Sequence, residues 1–183
     1  MCHPSENVDP PLRPGAVRHE VEIATQSGES LPARLALPNG SVGGALVIVT
    51  DIFGANAFYR SLIDRLAAEG FAALLPDIFF REGKLREPTR ELAYERRAHL
   101  DDDRALTELS TACDWLRDHA DIGQGRIGTL GFCLGGNLVL HMAARRADLA
   151  TVSYYAFPAG LPAPKAVPPP QEIIPDLHGP ILA

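Results

Sequence analysis

"GTLGFCLGGN" is the sequence of residues 128–137, and it places one cysteine, Cys133, within a cluster of glycines. The preceding residues "RIGTL" form an apolar run typical of a buried strand, and residues 135–146 have a helical pattern. In the pattern Gly-x-nucleophile-x-Gly, the nucleophile lies on a tight, strained turn between a strand and a helix, and the glycines leave room for that turn. The segment therefore predicts a nucleophile elbow with Cys133 at its tip.

A thiol at this position has favourable surroundings for reaction. The partial positive charge of a helix N-terminus lowers a thiol pKa and stabilises the thiolate. The Leu134 N–H would supply half of an oxyanion hole. The alternative is a buried cysteine with glycines for packing, because the five-residue pattern alone is weak. Of the other two cysteines, Cys113 lies in the apolar stripe of a predicted helix and is interpreted as core, and Cys2 has no predicted role.

Working outward from the elbow, apolar runs alternate with helical patterns. The predicted strands are 45–50, 71–76, 126–130 and 150–155, preceded by a hairpin of 17–25 and 31–37. The predicted helices are 57–69, 101–119 and 135–146, with one more helix in the polar region 77–100. Strands that alternate with helices form a parallel sheet covered on both faces, so the predicted fold class is α/β.

Two helices carry more specific expectations. In helix 57–69, an apolar face is predicted from Phe58, Leu62, Leu66 and Ala67. Asp101 is placed to cap the next helix, and the run 101–103 is interpreted as a helix start favoured by the dipole, not as a metal site.

Composition excludes several classes of protein. The chain has 183 residues, which suggests one domain, and a formal net charge of −6, which disfavours nucleic acid as the partner. No stretch approaches the roughly 18 apolar residues of a membrane span, and the N-terminus has no signal-peptide pattern. Three widely spaced cysteines predict neither a disulfide framework nor a zinc site. We therefore expect a cytoplasmic protein without a membrane partner or a zinc site.

Proline marks both ends of the chain. Residues 1–16 contain four prolines and are predicted to form a flexible arm, with one domain at 17–183. Residues 157–180 contain eight of the sixteen prolines, so they are predicted to form neither a helix nor a central strand. "PILA" at the end has the pattern of another strand.

Four segments together resemble the dienelactone hydrolase family, a cysteine branch of the α/β-hydrolases. They are "TDIFGAN" (50–56), "LLPDIFFR" (74–81), "GFCLGG" (131–136) and "SYYA" (153–156). The resemblance implies an α/β-hydrolase fold and the hydrolysis of small esters or lactones, without a cofactor. It covers residues 17–183.

The resemblance also implies roles for single residues. Cys133 matches the nucleophile, and Ile52 matches the residue whose backbone N–H completes the oxyanion hole. Asp51 stands where relatives have a glutamate that helps activate the cysteine; its alternative role is a loop or capping residue. Arg81 matches an arginine that binds a substrate carboxylate, and its alternative is an ordinary surface arginine. Tyr155 is a candidate to line the pocket, although Ala156 replaces the family's usual glycine.

A nucleophile also needs a base and a group that orients the base. In the family the acid follows the strand that begins at "GPILA" and the histidine comes later, so the resemblance implies an incomplete domain that lacks the last strands and helix. Among residues after Cys133, His141 is expected on a helix surface, about 12 Å along the helix. His178 and Asp176 are expected at the opposite end of the sheet.

Three functions therefore stay open at this point. The chain is a dienelactone hydrolase-like esterase, or a catalytically defective, truncated member that serves as a binding module, or a thiol redox protein. The last rests on Cys133 alone and lacks a nearby resolving cysteine.

Overall fold

The computed structural model describes residues 9–119 and 126–183. In these two ranges, seven strands form one sheet in the order β1-β2-β4-β3-β5-β6-β7. The strands are β1 (Ala16–Ala24), β2 (Ser30–Pro38), β3 (Gly44–Val49), β4 (Phe71–Pro76), β5 (Ile127–Phe132), β6 (Ala150–Tyr154) and β7 (Ile181–Leu182). The α-helices of the described ranges are α1 (Ala57–Ala68), α2 (Arg90–Arg97), α3 (Asp102–Asp118) and α4 (Leu134–Arg145).

The sheet is mostly parallel, as predicted. Strands β1 and β2 form the predicted antiparallel hairpin, and β2 is also antiparallel to β4. From β4 onward every neighbouring pair is parallel. Because parallel strands end at the same edge of a sheet, the segments after β3, β5 and β6 meet there. The segments "TDIFGAN", "GFCLGG" and "SYYA" lie at this edge.

Helices cover both faces of the sheet, which confirms the predicted layers. Alternate residues of β3 enter two separate cores: Val47 and Val49 pack with α3 and α4, and Ile48 packs with α1. This division explains why a strand buried on both faces is a continuous apolar run.

The predicted apolar face of α1 packs against the core, with Ala67 fully buried, but the prediction omits the two hydrophobic residues that are buried beside Ala67. Tyr59 and Ile63 are fully buried, whereas Phe58, Leu62 and Leu66 are only partly buried. Both series have the helical i, i+4 spacing, so the pattern alone does not separate them. The buried series places the Tyr59 hydroxyl against the start of the loop after β3, where it accepts a hydrogen bond from the Asp51 N–H.

The proline-rich segment contains two short 3₁₀ turns, Pro170–Glu172 and Ile174–Asp176, and is fastened to the helices. The Val167 N–H donates to Asp102 Oδ2 at 3.1 Å, and Nε2 of His141 lies 2.8 Å from the Pro168 carbonyl oxygen. The segment covers His141, which is only 3% exposed. The expectation that His141 lies on a helix surface is therefore wrong, because a segment distant in sequence covers that face.

Residues 1–8 of the predicted arm, with Cys2 and His3, lie outside the described residues. Within the arm, Asp9 forms ion pairs with Arg34 at 2.6 Å and with Arg60 at 2.8 Å. Across 9–119 and 126–183, no helix combines the length and apolarity needed to cross a bilayer.

Candidate active site

Cys133 is the one residue between the end of β5 and the start of α4. Its φ is +56° and its ψ is −115°, a conformation that residues other than glycine rarely adopt. Such a conformation is strained and persists only where the surrounding structure holds it. The strand–turn–helix arrangement predicted for this segment is confirmed.

The glycines around Cys133 are required by close backbone contacts. A Cβ atom added at Gly131 would lie 2.1 Å from the Gly135 carbonyl oxygen, and one at Gly135 would lie 2.2 Å from the Val49 oxygen. At Gly136 it would lie 2.9 Å from the Tyr154 oxygen. The first turn of α4 therefore packs directly against the ends of β3 and β6.

These contacts bring the two predicted oxyanion-hole residues to the same edge. The added Cβ of Gly135 would also lie 2.6 Å from the Thr50 oxygen, two residues before Ile52. Leu134 is the first residue of α4, so its N–H has no acceptor within the helix. Ile52 and Leu134 are each 1% exposed.

Asp51 is fully buried and shapes the loop after β3. Its Oδ1 accepts a hydrogen bond from the Phe53 N–H at 2.8 Å, and its own N–H donates to the Tyr59 hydroxyl at 3.0 Å. Burial raises the pKa of Tyr59 well above its usual value, and the Asp51 charge adds to this effect. The observed contacts are those of a loop-capping residue; activation of Cys133 by Asp51 stays a prediction.

The segment "SYYA" and the residue after it, Phe157, are hydrogen-bonded to the elbow and to the first turn of α4. The Cys133 N–H donates to the Tyr154 oxygen at 3.0 Å, and the Ser153 hydroxyl donates to the Gly136 oxygen at 3.1 Å. Asn137 Oδ1 accepts from the N–H of the residue after Ala156 at 2.7 Å. Sequence reasoning missed Ser153 and Asn137. Both lie inside the quoted segments, but a polar type at such a position does not identify its partner.

Tyr155 has a φ of +41°, the other positive value at a non-glycine residue of the described chain. Its ring packs edge-on against the Phe132 ring, with 6.2 Å between the ring centroids, and Tyr155 is 37% exposed. It therefore lies beside the elbow, with surface available to a ligand; its role in a pocket stays a prediction.

Arg81, the predicted contact for a substrate carboxylate, is paired with carboxylates of the chain itself. Its guanidinium donates to Glu29 at 2.7 Å and to Glu108, and it lies over the Phe80 ring at 4.1 Å. Hydrogen bonds from Arg81 and, to a smaller extent, from Ser27, together with the charges of Arg81 and Arg104, lower the pKa of Glu29 to about 2. A substrate carboxylate would have to displace one of these partners, and Glu29 is the more exposed one.

Arg96 is a residue near the site that sequence reasoning missed. It is 9% exposed and lines a cleft of about 250 Å³ together with Phe53, Ala55 and Asn56, which follow Ile52. The one available signal was spacing, because Arg96 lies three residues after the buried Ala93 on α2. In a helix otherwise rich in charged residues, that spacing does not stand out.

The two histidines that follow Cys133 lie away from it. The His178 N–H donates to the oxygen of Ala143, nine residues beyond the first residue of α4 and therefore about 14 Å along the helix. His141 faces the proline-rich segment. Within 9–119 and 126–183, no group of three or more His, Cys, Asp or Glu side chains could hold a metal.

The two described cysteines have different surroundings. Cys113 is fully buried in the apolar core, and burial raises its pKa to about 12, which confirms the core interpretation. Cys133 is 1% exposed and lies at the elbow, at the N-terminus of α4.

Comparison with known proteins gives a consistent result. Residues 31–183 match the family model of the dienelactone hydrolase family. The chain is 35% identical over 183 residues to a carboxymethylenebutenolidase from Rhodococcus opacus, of which it covers 70%. It is also 35% identical over 162 residues to carboxymethylenebutenolidase 2 from Cupriavidus pinatubonensis, of which it covers 62%.

The fold agrees with a solved structure as well. A protein from Klebsiella pneumoniae, assigned as a dienelactone hydrolase, superposes with a TM-score of 0.81 at 28% identity. That alignment covers 91% of this chain and 70% of the other. The chain thus spans about 60–70% of the length of these relatives. The family match over most of its residues shows that the chain belongs to the dienelactone hydrolase family.

Proposed function

We propose that the protein is a carboxylic ester hydrolase of the dienelactone hydrolase type, with Cys133 as its nucleophile. The main support for this proposal is the geometry of the elbow. Cys133 has a strained φ of +56°, and close backbone contacts leave no room for a side chain at the glycines on either side of it. Strain of this kind is typical of functional sites, where it holds a reactive atom in place. The position at the start of α4 also favours a thiolate.

The proposed first step is acyl transfer to sulfur. The Cys133 thiolate attacks the carbonyl carbon, and the electron pair of the C=O bond moves to oxygen. The Leu134 and Ile52 N–H groups stabilise this oxyanion. The tetrahedral intermediate then collapses, the C–O bond to the alkoxide breaks, and a thioester remains on Cys133. In a lactone the alkoxide stays attached to the acyl group, so the ring opens.

The second step is hydrolysis of the thioester by water, which needs an activating base. We assign no base among the described residues, because His141 and His178 lie away from the elbow. Acyl transfer to Cys133 and turnover are therefore separate claims, and they need separate measurements.

An activated ester distinguishes acyl transfer to Cys133 from turnover. With p-nitrophenyl acetate in excess, we expect a burst of one p-nitrophenol per protein, with the acetyl group on Cys133 by mass spectrometry. Cys133→Ala should remove the burst, and Cys113→Ala should keep it as the matched control. A full burst without turnover would restrict the chain to acylation, as expected of a defective member. Absence of any Cys133-dependent burst would contradict the proposal.

The proposed substrates are small esters or lactones that carry a carboxylate bound by Arg81. A guanidinium binds a carboxylate through two parallel hydrogen bonds, and Glu29 would give way to the substrate. Arg81→Ala should slow acylation by a carboxylate-bearing lactone at least about tenfold more than acylation by a neutral ester, since charge-assisted bonds contribute strongly. Arg104→Ala is the control, because Arg104 shares Glu29 and Glu108. Equal losses on both substrates would argue against this role.

A further inference from the structure

Arg96 is a buried arginine that donates its hydrogen bonds to backbone carbonyls. Its Nη2 donates to the Ile52 oxygen at 2.8 Å, and its Nη1 donates to the Gly83 oxygen at 3.0 Å. The guanidinium also lies over the Phe79 ring, 4.0 Å from the centroid. Arg96 thus joins α2, the loop after β4 and the loop after β3, which carries a predicted oxyanion-hole donor.

The loop that Arg96 contacts is a tight turn with an internal hydrogen bond. The Gly54 N–H donates to the Asp51 oxygen at 3.1 Å. In a trans peptide the C=O and the N–H point in opposite directions, so the Ile52 N–H points away from the inside of this turn. Gly54 has a φ of +74°, and a Cβ there would lie 3.2 Å from Nη2 of Arg96. The turn therefore leaves room for the guanidinium.

We propose that Arg96 is a positioning residue that sets the direction of the Ile52 N–H in the oxyanion hole. The peptide group that joins Asp51 to Ile52 is fixed on one side, because its carbonyl oxygen accepts from the Gly54 N–H inside the turn. The next peptide group is fixed as well, because the Ile52 carbonyl oxygen accepts from Arg96. With both sides fixed, the N–H has one direction before substrate arrives. Oxyanion stabilisation depends on such preorganisation, because the donors then need no reorientation during the reaction. This inference rests on the function proposed above.

Two reactions of the same sulfur test the inference. Acylation by p-nitrophenyl acetate passes through an oxyanion, whereas alkylation by iodoacetamide is a direct displacement at a saturated carbon and forms none. Both need the thiolate and access to Cys133. The ratio of the acylation rate constant to the alkylation rate constant therefore reports the oxyanion hole, since access and thiolate content affect both rates.

The variant to measure is Arg96→Met, and Arg97→Met is its matched control. Arg97 is the next residue of α2 and is also buried, but it pairs with Asp102 and the Leu161 oxygen, not with the loop after β3. Arg96→Met should lower the ratio about tenfold, less than the loss of a whole oxyanion donor. Arg97→Met should leave the ratio within about twofold of wild type, even where it lowers stability, because the hole keeps its geometry.

Arg96→Lys keeps one donor for the Ile52 oxygen and should give an intermediate ratio. It also serves if Arg96→Met fails to fold by circular dichroism. Wild-type ratios in the Arg96 variants, or an equal loss in Arg97→Met, would overturn the positioning role while leaving the proposed function intact. A wild-type protein that is alkylated at Cys133 but never acylated would overturn the proposed function, and the positioning role with it.

Discussion

The elbow edge and the arginine region of this protein are held together in different ways. In the elbow edge, which comprises residues 131–137 with the ends of β3 and β6, glycine backbone packs against backbone at distances that exclude a side chain. In the arginine region, residues 77–108, guanidinium groups bind carboxylates and carbonyls, and some of these partners, Glu29, Ile52 and Leu161, come from distant parts of the chain. The elbow edge should therefore be damaged by a single methyl group, whereas the arginine region should be damaged by the loss of a charge.

Gly135→Ala should produce the largest loss of stability. Its new methyl group would lie 2.2 Å from the Val49 oxygen and 2.6 Å from the Thr50 oxygen, and both are backbone atoms that move only with β3. We expect a loss of at least about 3 kcal/mol in the free energy of unfolding, the upper end of overpacking costs. Urea unfolding followed by circular dichroism measures it. Gly40→Ala is the control, since a Cβ there would have no atom within 4 Å. Equal midpoints for the two variants would contradict the steric account.

Arg97→Met tests the arginine region. Arg97 and Asp102 are 1% and 3% exposed at their side chains and pair at 2.8 Å. Removing one member of a buried pair leaves the other uncompensated, which costs about 3 kcal/mol or somewhat more. Arg104→Met should cost less than about 1 kcal/mol, because Arg104 is 43% exposed. Similar urea midpoints for the two variants would show that burial does not determine the contribution of these pairs.

The same difference explains what could be predicted from the sequence. The strand, turn and helix of the elbow are encoded by residues adjacent in the chain, so the spacing around Cys133 and Gly135 was sufficient to predict them, although not their contacts with β3 and β6. The arginine region depends on pairs such as Arg81 with Glu29, which are 52 residues apart. No local pattern encodes such a pair. The resemblance predicted a ligand role for Arg81 without its partners, and Arg96 was missed altogether.

The burial of His141 has a similar cause. Its cover comes from the proline-rich segment, 27 residues further along the chain, through the contact with Pro168. Helical spacing predicts only how a helix faces the sheet. It does not predict which irregular segment covers the opposite side.

His141→Gln should change how stability depends on pH. Burial lowers the pKa of His141 below its ordinary value of 6.5. In the unfolded chain His141 therefore binds a proton more readily than in the folded protein. Its contribution to the free energy of unfolding is fully present above about pH 6.5 and is lost as the pH falls below that value. One proton corresponds to at most about 1.4 kcal/mol per pH unit. The slope of unfolding free energy between pH 6.5 and 5 should be shallower in His141→Gln, whose amide can still donate to Pro168.

The control for this slope is His19→Gln, because His19 is exposed on β1. Its slope should equal that of the wild type. If the unfolding free energy of His141→Gln depends on pH as steeply as that of the wild type, another group accounts for the loss of stability in this pH range.

Apart from the control variants, Asp101→Ala should have the smallest effect, and together with Asp101→Asn it separates a helix-cap hydrogen bond from an ion pair in the arginine region. Asp101 Oδ1 accepts from the Arg104 N–H at 3.1 Å and caps α3, and Oδ2 pairs with the exposed Lys165 at 3.1 Å. Loss of an N-cap side chain costs about 1 kcal/mol. Asp101→Asn keeps an oxygen for the cap while it removes the charge, so it should recover most of this loss. Asp103→Ala, at a 75% exposed position of the same turn, should cost less than about 0.5 kcal/mol. If Asp101→Asn is as unstable as Asp101→Ala, the ion pair with Lys165 is the larger contribution, and the first turn of α3 depends on charge like the rest of its region.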